Sequence, residues 1–481
     1  MLNNTQDQIE ALEEVKSFLQ SDKNLMLIRG KAGTGKTTLV RDIQDVAFDN
    51  EWKTIPLGVW GRSVASIIQL TGIPAMTVKK YIRINEEIND SEYKDFDDYY
   101  ENYYSRRFKN AGKRIVDTIR NILFKSRSEF NKTLLIIDEA STLTLETLEE
   151  AVRFTGLKIN TKVILLGDQC QLPASFDEES VQLLDLDYWL EKYDKEDFKV
   201  YKKHIELRIS HRVSENSPLY DLAEKLRFLT LTKLTGEESR KLILDSVNTE
   251  EVIYVGNVTS FNVFKKEQKL ESIYIAGKQE VSDANEKLRN IYIENNKLEP
   301  SKIDDVKDGD ILRARCNGMN ETFMTGEEFL IEKIIHKTDN FTFAEVIVAT
   351  RYKEFSLNII RAFFQSIRNI FDSNKNLKAR VAIYTPPVIN NDNEKLFWNH
   401  ERANMINSFE NLTPSEVQES IYNSVDDVVT GTLGYAVTIE HSQGGEWDVI
   451  GLSLDIEGKQ DIPKYWYTAV TRAKKKLYVF N

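Results

Sequence analysis

The chain has 481 residues, 41% hydrophobic and 29% charged, with a formal net charge of −12; that is enough chain for two to four domains and a large buried core. The acidic balance excludes a protein that holds nucleic acid by bulk electrostatics alone, while leaving room for a basic groove on an acidic body. Two cysteines, Cys170 and Cys316, exclude a disulfide scaffold and a four-cysteine zinc site, and they suit a reducing, cytoplasmic setting.

From the N-terminus, MLNNTQDQIEALEEV is polar and acidic, without the basic and apolar regions of a secretory signal, and no later run of eighteen apolar residues predicts a membrane span. Leu25–Ile28 is a short apolar run that reads as a buried strand. Gly30, Gly33 and Gly35 then open a turn, and KTTLVRDIQDVA continues with helical spacing. This is strand, glycine loop and helix with G-x-x-x-x-G-K-T in register. Its glycines let backbone N–H groups turn inward around phosphates. Lys36 reaches the β- and γ-phosphates, and Thr37 offers its hydroxyl to Mg²⁺. The expected nucleotide contacts are Gly33, Thr34, Gly35, Lys36, Thr37 and Thr38, and the expected ligands are ATP and Mg²⁺.

TLLIIDEAS is a second buried-type strand, ending in Asp138 and Glu139. Beside a phosphate loop, such an acidic pair supplies an aspartate to hold Mg²⁺ and a glutamate to orient the attacking water. A third strand, TKVILLGDQCQLPA, runs to Gln171, whose amide suits the γ-phosphate or that water; the alternative is a plain turn closed by Pro173. Between these landmarks, Tyr93, Phe96, Tyr100, Tyr103 and Phe108 follow roughly helical spacing, with acidic residues before them and a basic stretch from Arg106 to Arg120 after. An amphipathic helix packed on the first domain is the plainer reading of that insertion, and an aromatic wedge the sharper one. Further on, KDGDILRARCNG and MTGEEFLIEKIIH read as alternating strands with glycine turns. SLNIIRAFFQSIRNIF reads as an amphipathic helix with Ile360, Phe364, Ile367 and Phe371 as its stripe. LTPSEVQESIYNSV carries Thr413 with Glu416 as a capping box and Pro414 at the first helical position.

The phosphate loop, IIDEAS, LLGDQCQLP, IELRISHR, YAVTIEHSQGGEWDVI and YTAVTRAKKKLYV occur in one order. This set resembles the superfamily 1B DNA helicases, in particular the RecD/Dda type, over about 1–84, 131–215 and 425–481. The resemblance implies an α/β fold of two RecA-like P-loop domains with parallel sheets, an inserted helical or pin element and an inserted SH3-like β-barrel. It places the first RecA-like domain at 1–205 with its insertion at about 85–130, the second at 206–308 and 425–481, and the barrel with a helical extension at 309–424. It further implies ATP bound between the two domains and translocation from 5′ to 3′ on single-stranded DNA. Gln8 then matches the glutamine that reads adenine, and Glu446 a position facing the nucleotide. Arg212 and Arg472 match arginines that reach the γ-phosphate from the second domain. Such an arginine stabilises charge on the transferred phosphoryl by roughly 10³ or more.

The same resemblance places nucleic-acid contacts at Trp60, Arg62, Thr77, Lys79, Thr438, His441 and Ser442, with Gln443 beside them. Val59-Trp60 stands where relatives carry proline-threonine, so Trp60 either stacks on a base or fills the core at a strand end. Lys79 stands where relatives often carry histidine, and pairs with phosphate but stacks less well. The expected partners are single-stranded DNA and duplex junctions, with replication or recombination proteins at 309–424. Two other readings remain open at this point: an RNA helicase of superfamily 1, and a nucleotide-gated clamp that barely unwinds. The full set Lys36, Glu139, Gln171, Arg212 and Arg472 speaks for hydrolysis.

Overall fold

The computed structural model describes residues 4–73, 75–89, 132–155, 160–173, 183–192, 198–212, 214, 216–232, 236–255, 272–295, 306–315, 318–319, 323, 326–351, 376–384, 394–455 and 462–480. The aromatic face Tyr93–Phe108, the basic stretch 106–120, the helical stripe Ile360–Phe371 and Cys316 lie outside these residues. The chain divides into two compact units, one beginning with the N-terminus and running to Glu215, the other taking up at Asn216.

The first unit is built on β1 (Leu25–Gly30), β2 (Trp52–Gly58), β3 (Met76–Thr77), β4 (Lys132–Asp138), β5 (Thr161–Gly167) and β6 (Ile205–Leu207). They form one parallel sheet in the order β3-β2-β4-β5-β1-β6. Helices cover such a sheet on both faces, so its strands read as near-continuous apolar runs; β5 is buried at every position. The helix Lys36–Asp49 buries Leu39, Val40, Ile43 and Ala47 at three- and four-residue spacing. Because all six strands run parallel, the loops after β1, β4 and β5 emerge at one edge of the sheet. That edge is where ligands bind in open α/β sheets.

In the second unit, β7 (Val252–Tyr254), β8 (Ser272–Ala276), β9 (Ile311–Ala314), β10 (Glu328–Lys337), β11 (Phe341–Arg351), β12 (Asn376–Tyr384), β13 (Asp427–Leu433), β14 (Ala436–Thr438), β15 (Trp447–Ser453) and β16 (Ala473–Phe480) make two sheets. One is parallel, in the order β14-β8-β15-β16-β7; the other is a closed barrel, β10-β11-β12-β13-β9. Closure removes the exposed edges that a small open sheet would present. The α/β class, the paired parallel sheets and the inserted barrel agree with the sequence reading.

Two boundaries and one helix start differ from it. The first unit extends past 205, because β6 adds to the edge of the P-loop sheet beside β1 and carries the following residues with it. The barrel does not stop at 424: β13 pairs with β12 on one side and β9 on the other, so its closing strand comes from the stretch assigned to the RecA-like domain. Thr413 and Glu416 do pair, with the Thr413 N–H donating to Glu416 Oε2 at 2.9 Å, but they close a turn and not a helix. The Val417 N–H donates to the Thr413 carbonyl at 3.1 Å, and Val417 packs in the cluster of Phe409 and Tyr422, but the helix of this stretch runs only from Glu419 to Tyr422. No helix among the described residues is long and apolar enough to cross a membrane.

The barrel is rooted by a buried ion pair. Arg289, on the helix Lys278–Asn295, donates from Nε to Asp310 Oδ1 at 2.8 Å and from Nη2 to Oδ2 at 2.6 Å, and the two side chains are 1% and 2% exposed. Asp310 directly precedes β9. Removing one partner leaves the other charge buried, so Asp310→Ala is expected to cost about 3–5 kcal/mol. Urea unfolding of the variant checks this, and a midpoint shift corresponding to less than about 1 kcal/mol contradicts it.

Candidate functional site

The glycine loop sits between β1 and the helix Lys36–Asp49. Gly33 and Gly35 have φ of +81° and +80°, a conformation that L side chains rarely adopt. Both also stand against neighbours: a Cβ on Gly33 would come within 2.6 Å of Arg212 Cβ, and one on Gly35 within 2.6 Å of Gln8 Nε2. The loop therefore tolerates only glycine at these two points. Gln8 donates from Nε2 to the Thr34 carbonyl at 3.0 Å and accepts from the Thr5 N–H at 3.1 Å, which ties the first helix, Gln6–Gln20, to the loop. Thr38 donates to the Gly35 carbonyl at 2.7 Å.

Lys36 is buried, and its Nζ donates to the carbonyls of Gly30 at 2.7 Å and Lys31 at 2.9 Å. Burial pulls its pKa down, while Asp168, Glu139 and Asp138 pull the other way. Thr37 Oγ1 donates to Asp138 Oδ2 at 2.7 Å, so a hydroxyl from the loop and a carboxylate from the end of β4 stand together. Burial and the adjacent Glu139 push the Asp138 carboxyl up to about 6, against the Thr37 hydrogen bond. Glu139 has φ of +58°, a left-handed backbone that costs a non-glycine residue roughly 1–3 kcal/mol and clusters at functional sites.

Three polar atoms at this edge of the sheet are buried without a hydrogen-bond partner: Glu139 Oε2, Ser141 Oγ and Gln171 Oε1. Buried polar groups are nearly always satisfied, and each one left over calls for a ligand or a strain role. Gln171 does close a turn, its N–H donating to the Asp168 carbonyl at 3.1 Å, and a turn alone does not account for the unpaired Oε1. The unpaired atoms also test the expected ligands. Orphaned acceptors suit a donating water, and the Thr37–Asp138 oxygen pair suits a hard cation that takes its other ligands from phosphate and water. Among the described residues no group of three or more His, Cys, Asp or Glu could hold a metal by itself.

Arg212 comes to the loop from the first unit and not from the second. The His211 N–H donates to the Gly33 carbonyl at 2.8 Å, so the segment after β6 lies along the glycine loop. Sequence reading missed this, because three residues of β6 give too little periodicity to place a strand. It also gave no role to Ser141, Thr142 or Asp168, although Ser141 and Thr142 stand two and three residues after the acidic pair.

In the second unit the motif residues gather around Arg472. This arginine is 2% exposed; its Nε donates to the Thr468 carbonyl at 2.9 Å, Nη1 to the Gly445 carbonyl at 3.3 Å and Nη2 to Thr471 Oγ1 at 3.0 Å. Its own carbonyl accepts from the Trp447 N–H at 3.0 Å. The guanidinium thus stitches the helix Ile462–Val470 to the loop that carries Glu446, which is exposed. Thr438 caps the one-turn helix Ile439–Ser442 by accepting from the His441 N–H. His441 is exposed, while Ser442 is buried and donates its hydroxyl to the Ile439 carbonyl at 2.6 Å. The barrel reaches this turn: Arg313 on β9 donates to the His441 carbonyl at 2.6 Å, and Trp447 Nε1 donates to Glu328 on β10 at 3.1 Å.

The remaining candidates lie on the first unit. Trp60 follows β2 and is 50% exposed, so it is not a core tryptophan. Arg62 is half-buried two residues further on. Thr77 accepts from the Lys80 N–H at 3.2 Å and so caps the helix Val78–Asn89, and Lys79 is exposed.

Comparison with known proteins follows the same division. A family profile described as an AAA domain matches residues 3–182, and one described as a UvrD-like helicase C-terminal domain matches 433–480. The first match falls within the first unit and the second within the second. The chain is 25% identical to an uncharacterized protein of Methanocaldococcus jannaschii over 94% of its own length but only 36% of that protein's. It is 22% identical to the RecBCD enzyme subunit RecD of Buchnera aphidicola subsp. Schizaphis graminum over 98% of its own length and 72% of the relative's. Among solved structures, the Pif1 helicase of Candida albicans has a TM-score of 0.51 at 15% identity, covering 100% of this chain and 95% of that one. The Pif1 helicase of Bacteroides, solved in complex with ADP-AlF3 and single-stranded DNA, has a TM-score of 0.50 at 16% identity, covering 100% and 92%.

Proposed function

We propose that this chain is an ATP-dependent DNA helicase that moves 5′ to 3′ along a single strand and separates duplex ahead of it. The observation that carries the proposal is the set of orphaned buried acceptors, Glu139 Oε2 and Gln171 Oε1, beside the Thr37–Asp138 pair. A protein that only bound nucleotide would have no need to bury an unpaired carboxylate oxygen there. In this reading the glycine-loop amides and Lys36 hold the phosphates, and Gln8 sits behind the loop on the base side. Thr37 and Asp138 hold Mg²⁺, which when bound neutralises charge on the phosphate oxygens. Glu139 orients the attacking water and takes its proton, with Gln171 as the second contact. Arg212 meets the γ-phosphate from the first unit. Arg472 is the second arginine assigned to the charge on the transferred phosphoryl. Trp60, Arg62, Thr77, Lys79, Thr438 and His441 are the strand contacts. Ser442 shapes their turn from inside.

The test is strand displacement from a fluorescent duplex carrying one single-stranded tail. Unwinding of the 5′-tailed substrate, with little of the 3′-tailed one, is the expected result. The reverse preference rejects the polarity, and displacement of neither, with ATP turnover that ignores DNA, rejects the helicase.

A further inference from the structure

We propose that Trp60 and Thr142 form a positioning relay that carries occupancy of the single-strand face to Glu139, so that a base stacked on the indole sets the rate of ATP hydrolysis. The inference rests on the helicase reading and deepens it. Trp60 Nε1 donates to Thr142 Oγ1 at 2.8 Å, and Thr142 Oγ1 donates to the Glu139 carbonyl at 2.9 Å. The Thr142 N–H reaches the same carbonyl at 3.1 Å. The directions are fixed by chemistry. An indole N–H can only donate, so the hydroxyl accepts there and its single hydrogen is free to point onward.

The two ends of this chain differ in kind. At one end a large aromatic ring stands half in solvent, and its polar edge is anchored inward. That arrangement leaves a π-face available, and stacking a base on such a face is worth roughly 1–3 kcal/mol. At the other end stands Glu139, held with φ of +58° and with Oε2 buried and unpaired. The strain of that backbone is also roughly 1–3 kcal/mol. The energy available at the ring is therefore large enough to bias how the glutamate is set. Thr142 is buried between them and has no other place in the proposed chemistry. A tryptophan serving only to begin the helix Gly61–Thr71 would need neither the exposed ring nor the bonded indole.

The experiment measures ATP turnover with and without a sixteen-residue oligothymidylate, and the affinity for that strand by fluorescence anisotropy. Thr142→Val keeps the shape and removes the hydroxyl. It is expected to keep strand-free turnover, bind the oligonucleotide within about threefold of the unaltered chain, and lose about tenfold in strand-stimulated turnover. Thr142→Ser is expected to restore stimulation. Trp60→Phe, which keeps a ring but no donor, is expected to show the same loss of stimulation, and the double variant to fall no further than either single one. Full stimulation of Thr142→Val, or losses that multiply in the double variant, overturns the relay. An unaltered chain that hydrolyses no ATP, or ignores the oligonucleotide, overturns the helicase reading instead.

Discussion

Lys36→Ala is expected to lower strand-stimulated ATP turnover by at least about a thousandfold and to leave the fold standing. The ammonium is held beneath the glycine loop by the carbonyls of Gly30 and Lys31 and faces a field set by Asp168, Glu139 and Asp138. Its loss frees two carbonyls, at about 1–3 kcal/mol each, which a unit with this much buried sheet can absorb. Lys36→Arg is expected to fail as well, because a guanidinium fork does not replace a compact ammonium in so narrow a place. Phosphate release measures the turnover, and circular dichroism checks the fold. A variant with a tenth or more of normal turnover would mean that the loop does not bind the transferred phosphate.

Arg472→Lys is expected to lower kcat by about a thousandfold with nucleotide affinity within a few-fold of normal. The side chain uses three separate donors on Thr468, Gly445 and Thr471. Lysine keeps the charge but is a point donor and cannot span all three. Burial of Arg472 sets aside a surface salt bridge and leaves two roles, stitching the loop and meeting phosphate. They separate in the readout. Stitching alone lowers the melting temperature and moves affinity and turnover together; the phosphate role splits kcat from affinity. Normal turnover in this variant removes the second half of the proposed site.

What the sequence makes legible here is what lies close together along it. The glycine loop, its flanking strand and helix, and the pair Asp138-Glu139 are contiguous, and each strand carries an unbroken apolar run because both faces of its sheet are covered. Long-range placement was harder. Arg212 joins the first unit because three residues of β6 find an open edge beside β1, a matter of sheet geometry that no local pattern announces. β13 closes the barrel because β9 and β12 both offer it an edge. Thr413, Pro414 and Glu416 carry the signs of a helix start, yet the chain makes a single turn there and the helix begins only at Glu419. The Trp60–Thr142–Glu139 path joins residues 82 apart in the chain at its first step. Only the side-chain geometry reveals it.

The account stands most directly on one number: the ratio of steady-state ATP turnover with and without single-stranded oligothymidylate, for the unaltered chain with Mg²⁺. A rise of tenfold or more is the expected result, since hydrolysis and strand binding are proposed to act through one set of linked residues. Turnover that is absent, or identical with and without the strand, contradicts it.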